Sequence, residues 1–143
     1  MADAKSLSCI LCPRGCRLEL LVEGELVSVS GNACPRGEGY GRQEALAPMR
    51  SLTSTVRAEG GVRARLAVRT SGDIALARML EAVYALDDIV VRAPVAAGQL
   101  IRADFLGMGV DLIASDELKA LPGSGDGYPY AGASAAHDSG AKR

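Results

Sequence analysis

Absences set the first bounds on this chain of 143 residues. No apolar run approaches the about 20 residues that a membrane-spanning helix needs, because Gly, Pro or charge interrupts every uncharged stretch. No membrane span is expected. The opening residues, Met1-Ala2-Asp3-Ala4-Lys5-Ser6, lack the basic start and apolar core of a secretory signal, so a cytoplasmic location is expected. Net charge is also nearly missing: 16 Lys and Arg stand against 17 Asp and Glu, which argues against a nucleic acid or an anionic membrane as partner. The balance is uneven, with ten basic and seven acidic residues in 1–70 and six and ten in 71–143. Histidine is down to one, His137, far out in a pattern-poor tail, and that excludes a Cys–His nucleophilic pair. The length excludes a large catalytic domain but allows a small metal-stapled module followed by a second small domain.

What the chain does have is four cysteines, all between residues 9 and 34. In a reducing compartment such a cluster reads as metal ligands ahead of two disulfides. The pattern is Cys9-Ile-Leu-Cys12-Pro-Arg-Gly-Cys16, then 17 residues, then Cys34-Pro35-Arg36-Gly37. Three clustered thiolates plus one remote thiolate suit a cubane, in which each of four iron corners takes one ligand, and Pro35 after the last cysteine matches the Cys-Pro ending of ferredoxin runs. A [4Fe–4S] cluster on Cys9, Cys12, Cys16 and Cys34 is therefore expected. A structural zinc is the alternative, since four thiolates satisfy tetrahedral Zn²⁺ and staple a small core. Zinc sites usually draw their ligands as two separated pairs, and the second pair is absent here.

Arg14 and Arg36 lie inside the ligand segments, where guanidinium charge stabilises the reduced form of a thiolate-rich cluster or docks a partner. They are the candidate cofactor-binding residues. Arg17 and Arg42 read equally well as solvated surface arginines. Gly37, Gly39 and Gly41 form a G-x-G-x-G string, but it follows a ligand loop and not a strand of a βαβ unit, so phosphate binding is not expected. Asp104, Asp111 and Asp116 fall in turn-rich segments and are assigned no chemistry.

The pattern along the chain predicts an α+β fold. Leu18, Leu20 and Val22 alternate before Glu23-Gly24-Glu25 and resume at Leu26, Val27 and Val29, a hairpin that Gly31-Asn32 turns back toward the first cysteines. A short helix over 38–46 is weakened by Gly39 and Gly41. Residues 53–58 and 62–70 flank Glu59-Gly60-Gly61 as a second hairpin, with Val62, Ala64, Leu66 and Val68 on the buried face and Arg63, Arg65 and Arg69 on the wet one. A helix capped by Ser71 or Asp73 runs to about Tyr84 and buries Ile74, Leu76, Ala77, Leu80, Val83 and Tyr84. Short strands follow within 88–93, 100–103 and 110–114. The expected organisation is a cysteine-rich module over 1–50, a small α+β domain over 51–118 and a disordered tail over 119–143.

Two resemblances attach to these residues. From Cys9 to about Val56 the chain resembles the small iron–sulfur domain that opens molybdopterin oxidoreductases, where C-x2-C-x3-C, a hairpin and a C-x-[KR]-G ending recur; Cys34-Pro35-Arg36-Gly37 fits that ending. The resemblance implies a position for Arg36 between cluster and pterin. The remaining hundred residues are too few for a bis-pterin site, so the cluster domain alone is shared. Over residues 7–118 the chain is similar to small bacterial and archaeal CxxC-motif proteins of unknown function, encoded beside FAD-dependent, glycerol-3-phosphate-type dehydrogenases. The shared phrases include residues 31–37, Leu52-Thr53-Ser54-Thr55-Val56, Val68-Arg69-Thr70-Ser71, Ala93-Pro94-Val95 and Gly107-Met108-Gly109-Val110-Asp111. That similarity implies an electron-transfer subunit in a hetero-oligomer with an FAD-dependent dehydrogenase, the alternative being a zinc-stapled assembly module of a flavoprotein complex.

Overall fold

The computed structural model describes residues 3–123. It is a mixed α+β fold that begins with a three-stranded antiparallel sheet in the order β1 (Asp3–Ser8), β2 (Arg17–Glu23), β3 (Leu26–Ser30). The expected hairpin is β2–β3: Glu23 faces Leu26 across a two-residue loop in which Gly24 takes φ +62, a conformation costly for residues with a Cβ. Leu18, Leu20 and Val27 point inward while Glu19 and Ser28 point out. Strand β1 was not foreseen. Its sequence holds one large apolar residue, Leu7, and it forms an exposed sheet edge, where polar side chains discourage further pairing.

Helix α1 (Pro35–Leu46) is longer than the expected 38–46 because Cys34 is its extended N-cap and Pro35 supplies a preset first turn. Its glycines are packing residues. A Cβ on Gly41 would lie 3.0 Å from Leu20 Cδ2 and Val29 Cγ1, so bare backbone at that point lets the helix settle on β2 and β3. Gly37, one helical turn earlier on the same face, is also buried. Gly39 faces solvent, and a Cβ there would meet nothing within 4 Å.

Beyond α1 come β4 (Met49–Arg50), β5 (Thr53–Glu59), β6 (Arg65–Thr70), β7 (Ile74–Ala75), α2 (Met79–Ala85), β8 (Val90–Arg92), β9 (Leu100–Arg102) and β10 (Leu112–Ala114). Strands β8-β5-β6-β10-β9 form one five-stranded sheet, and β4 pairs with β7. In the β5–β6 hairpin Val56, Ala58, Leu66 and Val68 are buried, and Arg63, Arg65 and Arg69 are exposed as expected, as is Arg57. Val62 and Ala64 are exposed instead of buried. Residues 60–63 leave the ladder to hold the end of the described chain: Gly61 bridges Ala120, the Val62 N–H bonds the Lys119 carbonyl at 3.0 Å, and Arg63 pairs with Asp116 at 2.8 Å, while the Ala64 carbonyl still accepts from the Ala58 N–H at 2.9 Å.

The helix expected up to Tyr84 is also shorter. Ile74 and Ala75 are captured by strand pairing with Met49 and Arg50, a 3₁₀ turn covers Leu76–Arg78, and α2 starts only at Met79. The buried stripe is Ile74, Ala82 and Leu86 with Met79 and Ala85 partly covered, so Leu76, Leu80, Val83 and Tyr84 remain exposed. Two apolar clusters result. One joins Cys9, Leu18 and Leu20 to Leu7, Cys16, Val29, Tyr40 and Ala45; the other holds Leu52 through Leu118, including Phe105 and Leu112. The tail expectation falls largely on residues 124–143, and His137 with it, outside the described residues.

Candidate metal centre

The first three cysteines sit on the connection between β1 and β2. Ser8 and Arg17 form the last rung of that ladder, and the Cys9 N–H donates to the Cys16 carbonyl at 2.8 Å, closing the loop just above the rung. Inside it Gly15 takes φ +61 and donates to the Cys12 carbonyl at 3.4 Å. The unforeseen strand β1 is thus what anchors Cys9. On the other side, the chain leaves β3 through Gly31, at φ +82, where a Cβ would run into the Arg17 carbonyl oxygen. That tight passage delivers Cys34 to the N-cap of α1 beside the loop, and the Asn32 side-chain amide donates to the Cys34 carbonyl at 3.2 Å.

Two contacts tie the segments together. Arg36 Nη2 donates to the Leu11 carbonyl at 3.1 Å, linking the first turn of α1 to the middle of the cysteine loop. The Cys9 sulfur lies 3.8 Å from where a Cβ on Gly37 would stand, against the same turn. Cys9 is buried, Cys16 half-buried, and Cys12 and Cys34 exposed; all four are free thiols. Among the described residues no group of three or more His, Cys, Asp or Glu side chains is drawn close enough to hold a metal ion. The backbone therefore brings the four cysteines to one end of the first sheet without converging their sulfurs. As a donor set they fit a thiolate-bound iron–sulfur cluster or zinc, with no carboxylate or imidazole among them.

The arginines divide by role. Arg36 holds the two segments together through a carbonyl. Arg14 is exposed on the cysteine loop, with no hydrogen bond or ion pair among the described residues. Arg17 donates to Ser6 Oγ at 3.2 Å, and Arg42 pairs with Glu38 at 2.7 Å one helical turn away, so both are occupied surface groups. Tyr40, which sequence pattern did not single out, packs with Cys9; burial first, and Glu44 next, push its phenol above the usual value, with Arg50 opposing. Asp104 and Asp111 serve a turn, accepting from the Gly109 N–H at 2.8 Å and the Asp104 N–H at 2.9 Å respectively. Arg63 holds the Asp116 carboxyl below the usual range, assisted by the Glu117 N–H.

No helix among the described residues is long and apolar enough to cross a membrane. The chain is similar to the Clostridium perfringens protein CPE0013, known from an NMR structure, at 17% identity, covering 56% of this chain and 95% of that one with a TM-score of 0.48. No curated protein matches it. Residues 35–116, more than half of the chain, match the profile of a family described as proteins of unknown function, DUF1667, and the chain belongs to that family.

Proposed function

We propose that this protein is an electron-transfer subunit that carries a [4Fe–4S] cluster on Cys9, Cys12, Cys16 and Cys34 and accepts electrons from a partner FAD-dependent dehydrogenase. The observation that carries this reading is that the cysteine loop, closed on itself by the Cys9–Cys16 backbone hydrogen bond, is fastened to the helix that Cys34 caps by the bond from Arg36 to the Leu11 carbonyl. The family match begins at Pro35, past the last cysteine, so support for the metal comes from this geometry and from the resemblance to iron–sulfur modules. When bound, such a cluster supplies one-electron transfer, chemistry that belongs to the cofactor. The protein's share is positioning. Arg36 keeps the loop and α1 in register, and Gly37 lets the first turn of α1 lie close against Asn32, whose Cβ would be 3.2 Å from an added Cβ. Arg14, with no ion pair among the described residues, offers a cation on the loop of exposed Cys12.

The donor follows from the resemblance to proteins encoded beside FAD-dependent dehydrogenases. Complementary charge steers such an encounter and is blunted by salt. Arg14→Glu should therefore slow transfer while leaving the cluster in place, the more so at low ionic strength. The test is to purify this chain with that flavoprotein, reduce the flavin with its substrate and follow the cluster absorbance. Bleaching in the wild-type complex, slower in the variant, is expected; absence of bleaching in the wild type would remove the relay role.

A further inference from the structure

The five-stranded sheet ends in β8 and β9, which follow one another in sequence and are joined by residues 93–99. Their directions follow from the pairings. Strand β8 is parallel to β5, and each later step through β6, β10 and β9 is antiparallel, so β8 and β9 run in opposite senses. Consecutive antiparallel strands with a short connection ordinarily pair. These two do not, and a cleft of about 410 Å³ separates them.

The lining reveals where that cleft lies. It includes Val90, Val91 and Arg92 of one edge and Leu100, Ile101 and Arg102 of the other. Successive side chains of a strand point to opposite faces, so a cavity that touches three consecutive residues on both strands lies in the plane of the sheet, along the backbone edges. It has the position of a missing strand.

We propose that this cleft receives an extended acidic segment of a partner protein, which adds a strand between β8 and β9. The backbone edges supply hydrogen-bonding groups that are sequence-tolerant, the usual basis of strand addition. Because the edges run oppositely, the added strand is parallel to one and antiparallel to the other. Charge selects its chemistry. Arg92 ends β8 and Arg102 ends β9, so two guanidiniums stand at opposite ends of the cleft against one lining carboxylate, Asp88. Arg92 touches Glu59 at 3.4 Å while 86% exposed, and Arg102 makes no ion pair among the described residues. An acidic residue at either end of the added strand complements this lining.

The test is an NMR titration of the full chain with acetylated, amidated hexapeptides that alternate valine and threonine between terminal glutamates. Shifts and amide protection confined to 88–92 and 99–102 are expected, with binding weakened at least about tenfold when alternate peptide nitrogens are methylated, a change of about 1.4 kcal/mol. Arg102→Glu should weaken binding and Lys should restore it. Equal binding by the methylated peptides, or no binding by any of them at millimolar concentration, would overturn the proposal. So would protection, in the free chain, of the amides in these segments that β5, β10 and the local turns leave unpaired: independent of concentration it would mean the chain fills its own cleft, and rising with concentration it would mean a second copy does.

Discussion

At Gly41 an added Cβ would sit 3.0 Å from Leu20 and Val29, whereas at Gly39 it would meet nothing within 4 Å. Both lie inside α1, so alanine at either gains about 1 kcal/mol of helix propensity. Gly39→Ala should realise that gain. Gly41→Ala must also push the helix away from β2 and β3, and overpacking of this kind costs about 1–3 kcal/mol, so a net loss is expected. Chemical denaturation of the two variants decides it: equal stabilisation by both would mean that α1 does not lie on the sheet as described. The same close approach explains why a string that looks like a nucleotide loop is a packing seam. Arg36 is the other residue whose place differs from its sequence reading. Its guanidinium bonds the Leu11 carbonyl, which makes it a brace between the two cysteine segments, and Arg14 is left as the one of the pair without an ion pair or hydrogen bond among the described residues.

Between elements, the tie from α1 to β4 is ionic. Arg50 meets Glu44 through both carboxylate oxygens at 2.8 and 2.9 Å, and the Glu44 side chain is 13% exposed. The hydrogen bond from Arg50, more than its charge alone, holds the Glu44 carboxyl below its ordinary value of 4.5. A carboxyl lowered by folding contributes stability that is present above its unfolded value and is lost as pH falls through the folded one. Glu44→Gln should thus lower stability at neutral pH by about 1 kcal/mol, and the gap should close in the acid range below 4.5. Melting temperatures of wild type and variant across that range provide the check, and a gap that persists in acid would rule out the ion pair as its source. Both hairpins were legible in the sequence because period-two alternation and turn glycines are local signals. Strand β1 was not, since an exposed edge needs no apolar face. The start of α2 was missed because Ile74 is claimed by a distant strand, β4, a contact that helical periodicity does not encode. Val62 and Ala64 were misplaced for the same kind of reason, the pull of residues 118–121 on the hairpin loop.

Across the whole molecule, the cysteine spacing named the candidate ligands, while the way they are assembled, through β1, the Gly31 passage and the Arg36 brace, came only with the fold. Metal binding adds folding free energy when its ligands come from separate segments. Cluster loss and loosening of the first sheet should therefore go together, which gives the central claim a direct measurement. Purified without oxygen, the chain should be brown and carry about four iron and four acid-labile sulfide, the content of one cubane. Cys34→Ser should lose both the iron and part of the thermal stability of the first sheet. A colourless protein holding one zinc and no sulfide would contradict the account.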